Sequence, residues 1–233
     1  MTDQNALKKA VAAKALEYVH DGMKLGLGSG TTAEAFLDLL APRVKGGLKL
    51  LCVPSSERTA IYARKLGITL AALDDLSPLD LTIDGADEAD RNLNLIKGGG
   101  GMLLREKLVA FASKRMIVIA DESKLVAKLG KYPLPVEVIE FGHKSTRANI
   151  ARCFAKLGYA DVTMTLRQKD GAIFMTDSGC VIYDCAMGAI TDAPLLASTL
   201  ADIPGVVDHG LFIGIADTLL LATPGEVQVI ERP

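Results

Sequence analysis

Apolar and polar positions along this chain repeat with two different periods. Residues 4–20 set Leu7, Val11, Leu16 and Val19 on one helical stripe, and Gly22 supplies the stop. Short apolar runs at 24–27, 48–53, 68–70, 79–83 and 116–120 read as strands. Helical patterns separate them: one ends at Leu40, one covers 57–66 and one covers 102–113. Strands alternating with helices as far as residue 120 predict a parallel sheet with helices on both faces.

The pattern changes near residue 130. Lys131-Tyr132-Pro133-Leu134-Pro135 cannot occupy a helix interior. A strand at 136–139, a helix at 145–157, short strands at 162–167, 173–176 and 181–184, and a helix at 193–201 follow. Lys169-Asp170-Gly171 and Asp177-Ser178-Gly179 mark turns between those strands. The expectation is a small α+β lobe over 131–204. The strand-rich tail (210–215, 218–222, 227–230) is expected to rejoin the first sheet, so that 1–130 and 205–233 form one domain.

Composition narrows the picture. With 49% hydrophobic residues, 5% aromatics and no Trp, the core of this 233-residue chain is aliphatic. Twenty-six basic against 28 acidic residues leave a net charge of −2, with no nucleic-acid footprint and no polybasic membrane patch. No run approaches the roughly 18 apolar residues of a membrane span. Lys8, Lys9, Lys14 and Glu17 interrupt any leader-like stretch, and a soluble, cytoplasmic protein is expected. Cys52, Cys153, Cys180 and Cys185 form no CxxC pair, and His20, His143 and His209 are scattered. That spacing favours buried free thiols over a zinc site or a disulfide framework. Cys180 and Cys185 are expected on opposite faces of one strand.

Two segments carry chemistry. Gly26-Leu27-Gly28-Ser29-Gly30-Thr31-Thr32 lies between a strand and a helix. Its small residues admit close backbone approach, and the helix start offers free N–H groups and a positive dipole end to an anion. The spacing is neither GxGxxG nor a Walker A loop, and the next strand ends in Pro54-Ser55 rather than an acid. A small phosphate monoester fits better than a dinucleotide; a tight βα turn that binds nothing is the plain alternative. Ser55-Ser56-Glu57-Arg58-Thr59 could add hydroxyls or simply cap the next helix.

Residues 82–107 read TIDGADEADRNLNLIKGGGGMLLREK. Asp84, Asp87, Glu88 and Asp90 follow a strand, at the edge where open α/β sheets bind ligands. A solvated acidic turn is the alternative; the spacing matches no EF-hand loop. Lys97 then heads Gly98 to Gly101 and could stabilise charge on oxygen, though a lone lysine is usually solvated. Glu106 follows in the early turns of a helix. Leu104, Leu108 and Phe111 make an apparent core stripe there, which turns Glu106 toward solvent or a cleft. A carboxylate base, a cation and a phosphate anchor suit proton transfer between adjacent carbons of a sugar phosphate.

At these residues the sequence resembles ribose-5-phosphate isomerase of the A type. Gly28 to Thr32, Asp84-Gly85-Ala86-Asp87-Glu88, Lys97-Gly98-Gly99-Gly100, Arg105-Glu106-Lys107, Ala120-Asp121-Glu122-Ser123-Lys124, 131–138 and 204–212 carry the likeness, which spans essentially the whole chain. It implies an α/β fold: a Rossmann-like, mostly parallel sheet with helices on both faces, plus a smaller α+β lobe. It implies interconversion of D-ribose 5-phosphate and D-ribulose 5-phosphate in the non-oxidative pentose phosphate pathway, without metal or other cofactor. Glu106 would shuttle the proton between C1 and C2. Ser29, Gly30, Thr31 and Thr32 would hold the phosphate. Asp84, Gly85, Ala86, Asp87, Lys97, Gly98, Gly99 and Gly100 would meet the sugar, and Lys124 would reach the substrate. The resemblance also implies a homodimer or homotetramer. Two rivals stand beside it, a non-catalytic sugar-phosphate sensor and an aminosugar-phosphate deaminase-like isomerase. The first leaves Glu106 unexplained; the second would want a histidine near the acids.

Overall fold

The computed structural model describes residues 4–232. The first half alternates as the periodicity predicts: α1 (Gln4–Leu16), β1 (Lys24–Leu27), α2 (Thr31–Lys45), β2 (Leu51–Pro54), α3 (Glu57–Leu66), a short α4 (Leu73–Leu76), β3 (Leu81–Asp84), β4 (Glu88–Ala89), β5 (Leu95–Ile96), α5 (Leu103–Phe111) and β6 (Met116–Asp121). A 3₁₀ turn at Glu122–Lys124 leads to β7 (Leu134–Ile139), α6 (His143–Lys156), β8 (Thr163–Leu166), β9 (Gln168–Lys169), β10 (Ala172–Ile173), β11 (Cys180–Ala186), α7 (Ala193–Ala201), β12 (Val206–His209), β13 (Leu211–Phe212), β14 (Thr218–Thr223) and β15 (Glu226–Glu231).

The central sheet runs β15-β14-β6-β3-β1-β2. Its strands are parallel except β15, which pairs antiparallel with β14 at the edge. The last two strands of the tail rejoin the first sheet, whereas 210–215 holds only β13, which pairs with β5. Alternate side chains of β6 and β14 feed two cores, as a sheet covered on both faces requires. Ile117, Ile119, Leu220 and Ala222 pack with α1 and α2, while Met116, Val118, Leu219 and Leu221 pack on the opposite face with Ala110 of α5. The chain leaves β1 in one direction to β2 and returns on the other side at β3. The β1/β3 crevice is therefore a topological switch point, where such sheets bind ligands.

The smaller sheet is antiparallel, in the order β12-β7-β11-β8, and packs an apolar face against α6 and α7. β12 lies beyond the boundary expected at residue 205 and pairs with β7. A third sheet, β13-β5-β4, ties the acidic segment to the chain returning from β12. It was invisible in the sequence because its strands are two residues long. The four cysteines are free and buried.

Several element boundaries differ from the periodic reading. α1 stops at Leu16 rather than 20. α2 runs past Leu40 and through Pro42, because one proline removes one ladder bond, while the Gly46 and Gly47 amides still close the last turn at 2.9 and 3.0 Å. Residues 68–70 make only an isolated bridge, Leu70 to Cys52. The stripe expected to bury α5 faces outward: Leu108 is 52% and Phe111 71% exposed, and the buried side is Leu103, Glu106, Val109 and Ala110. The buried side of this helix contains a polar site, which apolar periodicity cannot reveal.

Candidate active site

Gly28 and Asp84 meet at the carboxyl ends of β1 and β3. The Gly28 amide donates to the Ile83 carbonyl at 2.9 Å, and a Cβ on Gly28 would lie 2.5 Å from the Asp84 Cα. Glycine is required there by contact. Asp84 is fully buried, and its Oδ1 accepts from the amides of Ser29 (3.0 Å) and Gly85 (2.7 Å). Its Oδ2 lies 3.0 Å from Lys97 Nζ.

Lys97 follows β5, and the β5–β13 pairing sets its backbone, with its amide donating to Gly210 at 2.8 Å. The side chain is 3% exposed. Its ammonium donates to the Gly85 carbonyl at 2.6 Å, lies 3.3 Å from Glu106 Oε1 and sits 5.5 Å above the Phe212 ring. Burial pulls its pKa down, but Asp84 and Glu106 outweigh burial and hold it above the ordinary lysine value.

Glu106 is 5% exposed, lines the cavity, and has an Oε2 with no hydrogen-bond partner. Burial raises its pKa well above the ordinary carboxylate range; Lys97 opposes the shift and Asp84 reinforces it. Its helix is pinned on both flanks. Arg105 Nη1 reaches Glu57 Oε1 at 2.9 Å, and Lys107 Nζ bonds Asp208 and donates to the His209 carbonyl at 2.7 Å.

The cavity these groups border has a volume of about 190 Å³. That is below the roughly 300–1,000 Å³ of drug-sized pockets and suits a small ligand. On one side Gly30, Thr31 and Thr32 line the cavity at the start of α2, which has no side-chain cap, so the first-turn amides there lack intrahelical acceptors. Lys124 also lines this cavity. On the other side are Gly85, Ala86, Asp87 and Gly98 to Gly100, with Asp87 Oδ2 accepting from the Gly99 amide at 2.7 Å.

The predicted site residues thus converge, with two qualifications. Asp84 does not line the cavity; it stands behind Lys97. Ser29 lines it, but its hydroxyl turns into a cluster with Ser55, Ser56 and Thr59, at 2.9 to 3.0 Å. Ser56 also caps α3 by accepting from the Thr59 amide at 3.0 Å, the cap reading of that serine run, whose hydroxyls meet Ser29 and do not line the cavity. Glu88 and Asp90 serve the chain trace: Glu88 accepts from the amides of Gly130 and Tyr132, and Asp90 from those of Asn92 and Asn94. His209 is buried, with Nε2 against the Ala197 carbonyl at 2.9 Å, and burial lowers its pKa to about 3, which keeps it neutral and structural.

Four lining residues were not among the expected site residues: Gln4, Lys8, Met102 and Asp121, the last named only within the 120–124 motif. Lys8 Nζ donates to Thr31 Oγ1 at 2.9 Å, adding a cation at the anion loop. The signal for Lys8 was slight, a polar residue on an amphipathic helix. No group of three or more His, Cys, Asp or Glu among the described residues is arranged to hold a metal ion. No helix among them is long and apolar enough to cross a membrane.

A parallel α/β sheet with an acid–lysine–acid cluster buried at its switch point is the frame of an acid–base enzyme. A family model described as ribose 5-phosphate isomerase A (phosphoriboisomerase A) matches residues 51–226. The chain belongs to that family of aldose–ketose isomerases. It is 57% identical over 228 residues to the ribose-5-phosphate isomerase A of Nitrobacter hamburgensis, covering 98% of each chain. It is 55% identical to that of Rhodopseudomonas palustris (strain BisB5), covering 99% of each. Among solved structures, the ribose 5-phosphate isomerase of Plasmodium falciparum superposes with a TM-score of 0.93 at 40% identity, covering 97% of this chain and 98% of that one. A D-ribose-5-phosphate isomerase in complex with phospho-erythronic acid superposes at 0.91 with 35% identity, covering 100% of both chains.

Proposed function

We propose that this chain interconverts D-ribose 5-phosphate and D-ribulose 5-phosphate through an enediolate, with Glu106 as the base. One observation carries the reading: a carboxylate with a raised pKa and a free oxygen borders the cavity beside a buried lysine. In the forward direction Glu106 removes the proton from C2 of the open-chain aldose, alpha to the C1 carbonyl. Lys97 stabilises the charge that moves onto oxygen. The Glu106 acid returns the proton to C1, while the hydroxyl proton passes from O2 to O1 and leaves the C2 ketone. The raised pKa suits a group that must both take and return a proton near neutrality.

The phosphate belongs at the start of α2, held by the first-turn amides, Thr31, Thr32, Lys8 and Lys124. Gly85, Ala86, Asp87 and the Gly98 to Gly100 backbone take the sugar. Asp84 acts through Lys97, and Ser29 through the shape of its loop. A relative solved with phospho-erythronic acid, a phosphorylated sugar acid, supports this ligand class. Two structural units, 1–130 with 205–233 and 131–204 except that β12 pairs in the smaller one, and a cytoplasmic homodimer or homotetramer complete the proposal. The uncovered Leu108 and Phe111 offer an apolar face for self-association.

Incubation with ribose 5-phosphate in D₂O with a chelator tests the chemistry. Ketose should form with deuterium at the exchanging carbon. Binding without exchange would instead indicate a sensor. For the phosphate end, Lys8→Ala should raise KM about 10–150-fold with little change in kcat, as loss of one charge-assisted hydrogen bond worth about 1.5–3 kcal/mol implies. Steady-state kinetics would place Lys8 elsewhere if kcat fell while KM held.

A further inference from the structure

The glycine loop is gripped from the far lobe by a group that the proposed chemistry does not use. Arg167 lies between β8 and β9, and its side chain is largely buried. Its Nη1 donates to the carbonyls of Gly98 at 2.8 Å and Gly99 at 3.3 Å. The rest of the guanidinium is taken up by Asp184 of β11, through Nε to Oδ2 at 2.9 Å and Nη2 to Oδ1. The Phe174 ring lies 6.0 Å from the guanidinium, and a Cβ on Gly101 would come within 2.4 Å of that ring. Gly101 also has φ of +84°, so glycine is required there twice over.

In a planar trans peptide the carbonyl and the next N–H point in opposite directions. A donor that holds the Gly98 and Gly99 carbonyls on the lobe side therefore turns the Gly99 and Gly100 amides away from itself. The Gly99 amide shows this, donating to Asp87 Oδ2 at 2.7 Å on the cavity side. The Gly100 amide is aimed by the same constraint, and Gly100 lines the cavity.

We infer that Arg167, fixed by Asp184 and Phe174, is a positioning residue that aims the Gly100 amide at the reacting oxygens and the Gly99 amide at Asp87, so that the small lobe sets the charge-stabilising geometry of the site. This rests on the isomerase reading above. Lysine cannot replace it fully, because one ammonium cannot span two carbonyls and a bidentate carboxylate.

The test measures kcat, KM and thermal midpoint for Arg167→Met and Arg167→Lys, with dissociation constants for phospho-erythronic acid and inorganic phosphate. Arg167→Met should lower kcat about 10–100-fold, the scale of an ångström-level misplacement. It should weaken the sugar acid by a similar factor and leave inorganic phosphate unchanged. Arg167→Lys should recover part of the loss. A folded Arg167→Met with kcat within about twofold of wild type would overturn the inference, as would equal weakening of both ligands. If Arg167→Met does not fold, Asp184→Asn, which frees the guanidinium without removing it, must show the same kcat-selective split or the inference fails. A wild-type protein with no isomerase activity would strike the proposed function instead.

Discussion

Glu106→Gln is expected to abolish turnover, with kcat falling toward the upper end of the roughly 10²–10⁴-fold that a positioned base supplies, while the sugar phosphate still binds. Glutamine keeps the shape and the contact with Lys97 but cannot accept a proton from carbon. The fold should survive, because Lys97 keeps Asp84 at 3.0 Å and its bond to the Gly85 carbonyl. Binding should survive because the anion loop, Lys8 and Lys124 are untouched. Each neighbouring carboxylate already has partners of its own. Asp84 is committed to two amides and Lys97, Asp87 to the Gly99 amide, and Asp121 to the amide of its own turn at Ser123. Deuterium exchange from solvent should vanish with turnover; a near-normal kcat would show that the base lies elsewhere. In the wild type the rate should fall as pH drops through the Glu106 pKa, because the protonated acid cannot act as base. Burial raises that pKa above the ordinary 4.5, so the acid limb should lie higher than for a solvated glutamate.

The parts of this site legible in sequence were those that local physics concentrates. Glycines behind a lysine, or an anion loop at a strand end, stand out in a sequence, and Gly98 to Gly100 and the anion loop border the cavity, while Gly101 answers to its φ of +84° and the Phe174 ring. The orientation of α5 was not legible. Its apolar stripe pointed to Leu104, Leu108 and Phe111 as core, yet the helix buries Glu106 among Leu103, Val109 and Ala110. Periodicity assumes that a buried face is apolar, and a catalytic face breaks that assumption. The acids also separated only in three dimensions. Glu88 and Asp90 differ from Asp84 and Asp87 by which backbone amides come within reach, and this depends on two-residue strands too short to leave a pattern. Lys8 and Arg167 reach the site from α1 and from the small lobe. Their relevance depends on how the layers stack, which no window of sequence encodes.

Lys97→Met should cost about 10²–10³ in kcat, the scale of removing one preorganised charge-stabilising donor, and should raise the pH at which the remaining activity appears. The two effects have separate causes. The ammonium is the cation in contact with both Asp84 and Glu106, and it opposes the burial that raises the Glu106 pKa. Without it Glu106 holds its proton to higher pH, and less of the enzyme carries a working base near neutrality. If that were the whole effect, the variant would recover wild-type kcat at sufficiently alkaline pH. The enediolate must also place negative charge on oxygen beside a position that methionine leaves without a donor, so a deficit should persist across the profile. A buried ion pair broken on one side typically costs about 3–5 kcal/mol of stability, so the thermal midpoint should drop as well. Asp84, fully buried, is the group left uncompensated. Replacing Asp84 with Asn in the same protein should therefore restore midpoint without restoring rate. A pH–rate profile in which Lys97→Met regains full kcat would reduce Lys97 to a tuner of Glu106. A change confined to KM would reduce it to ground-state binding.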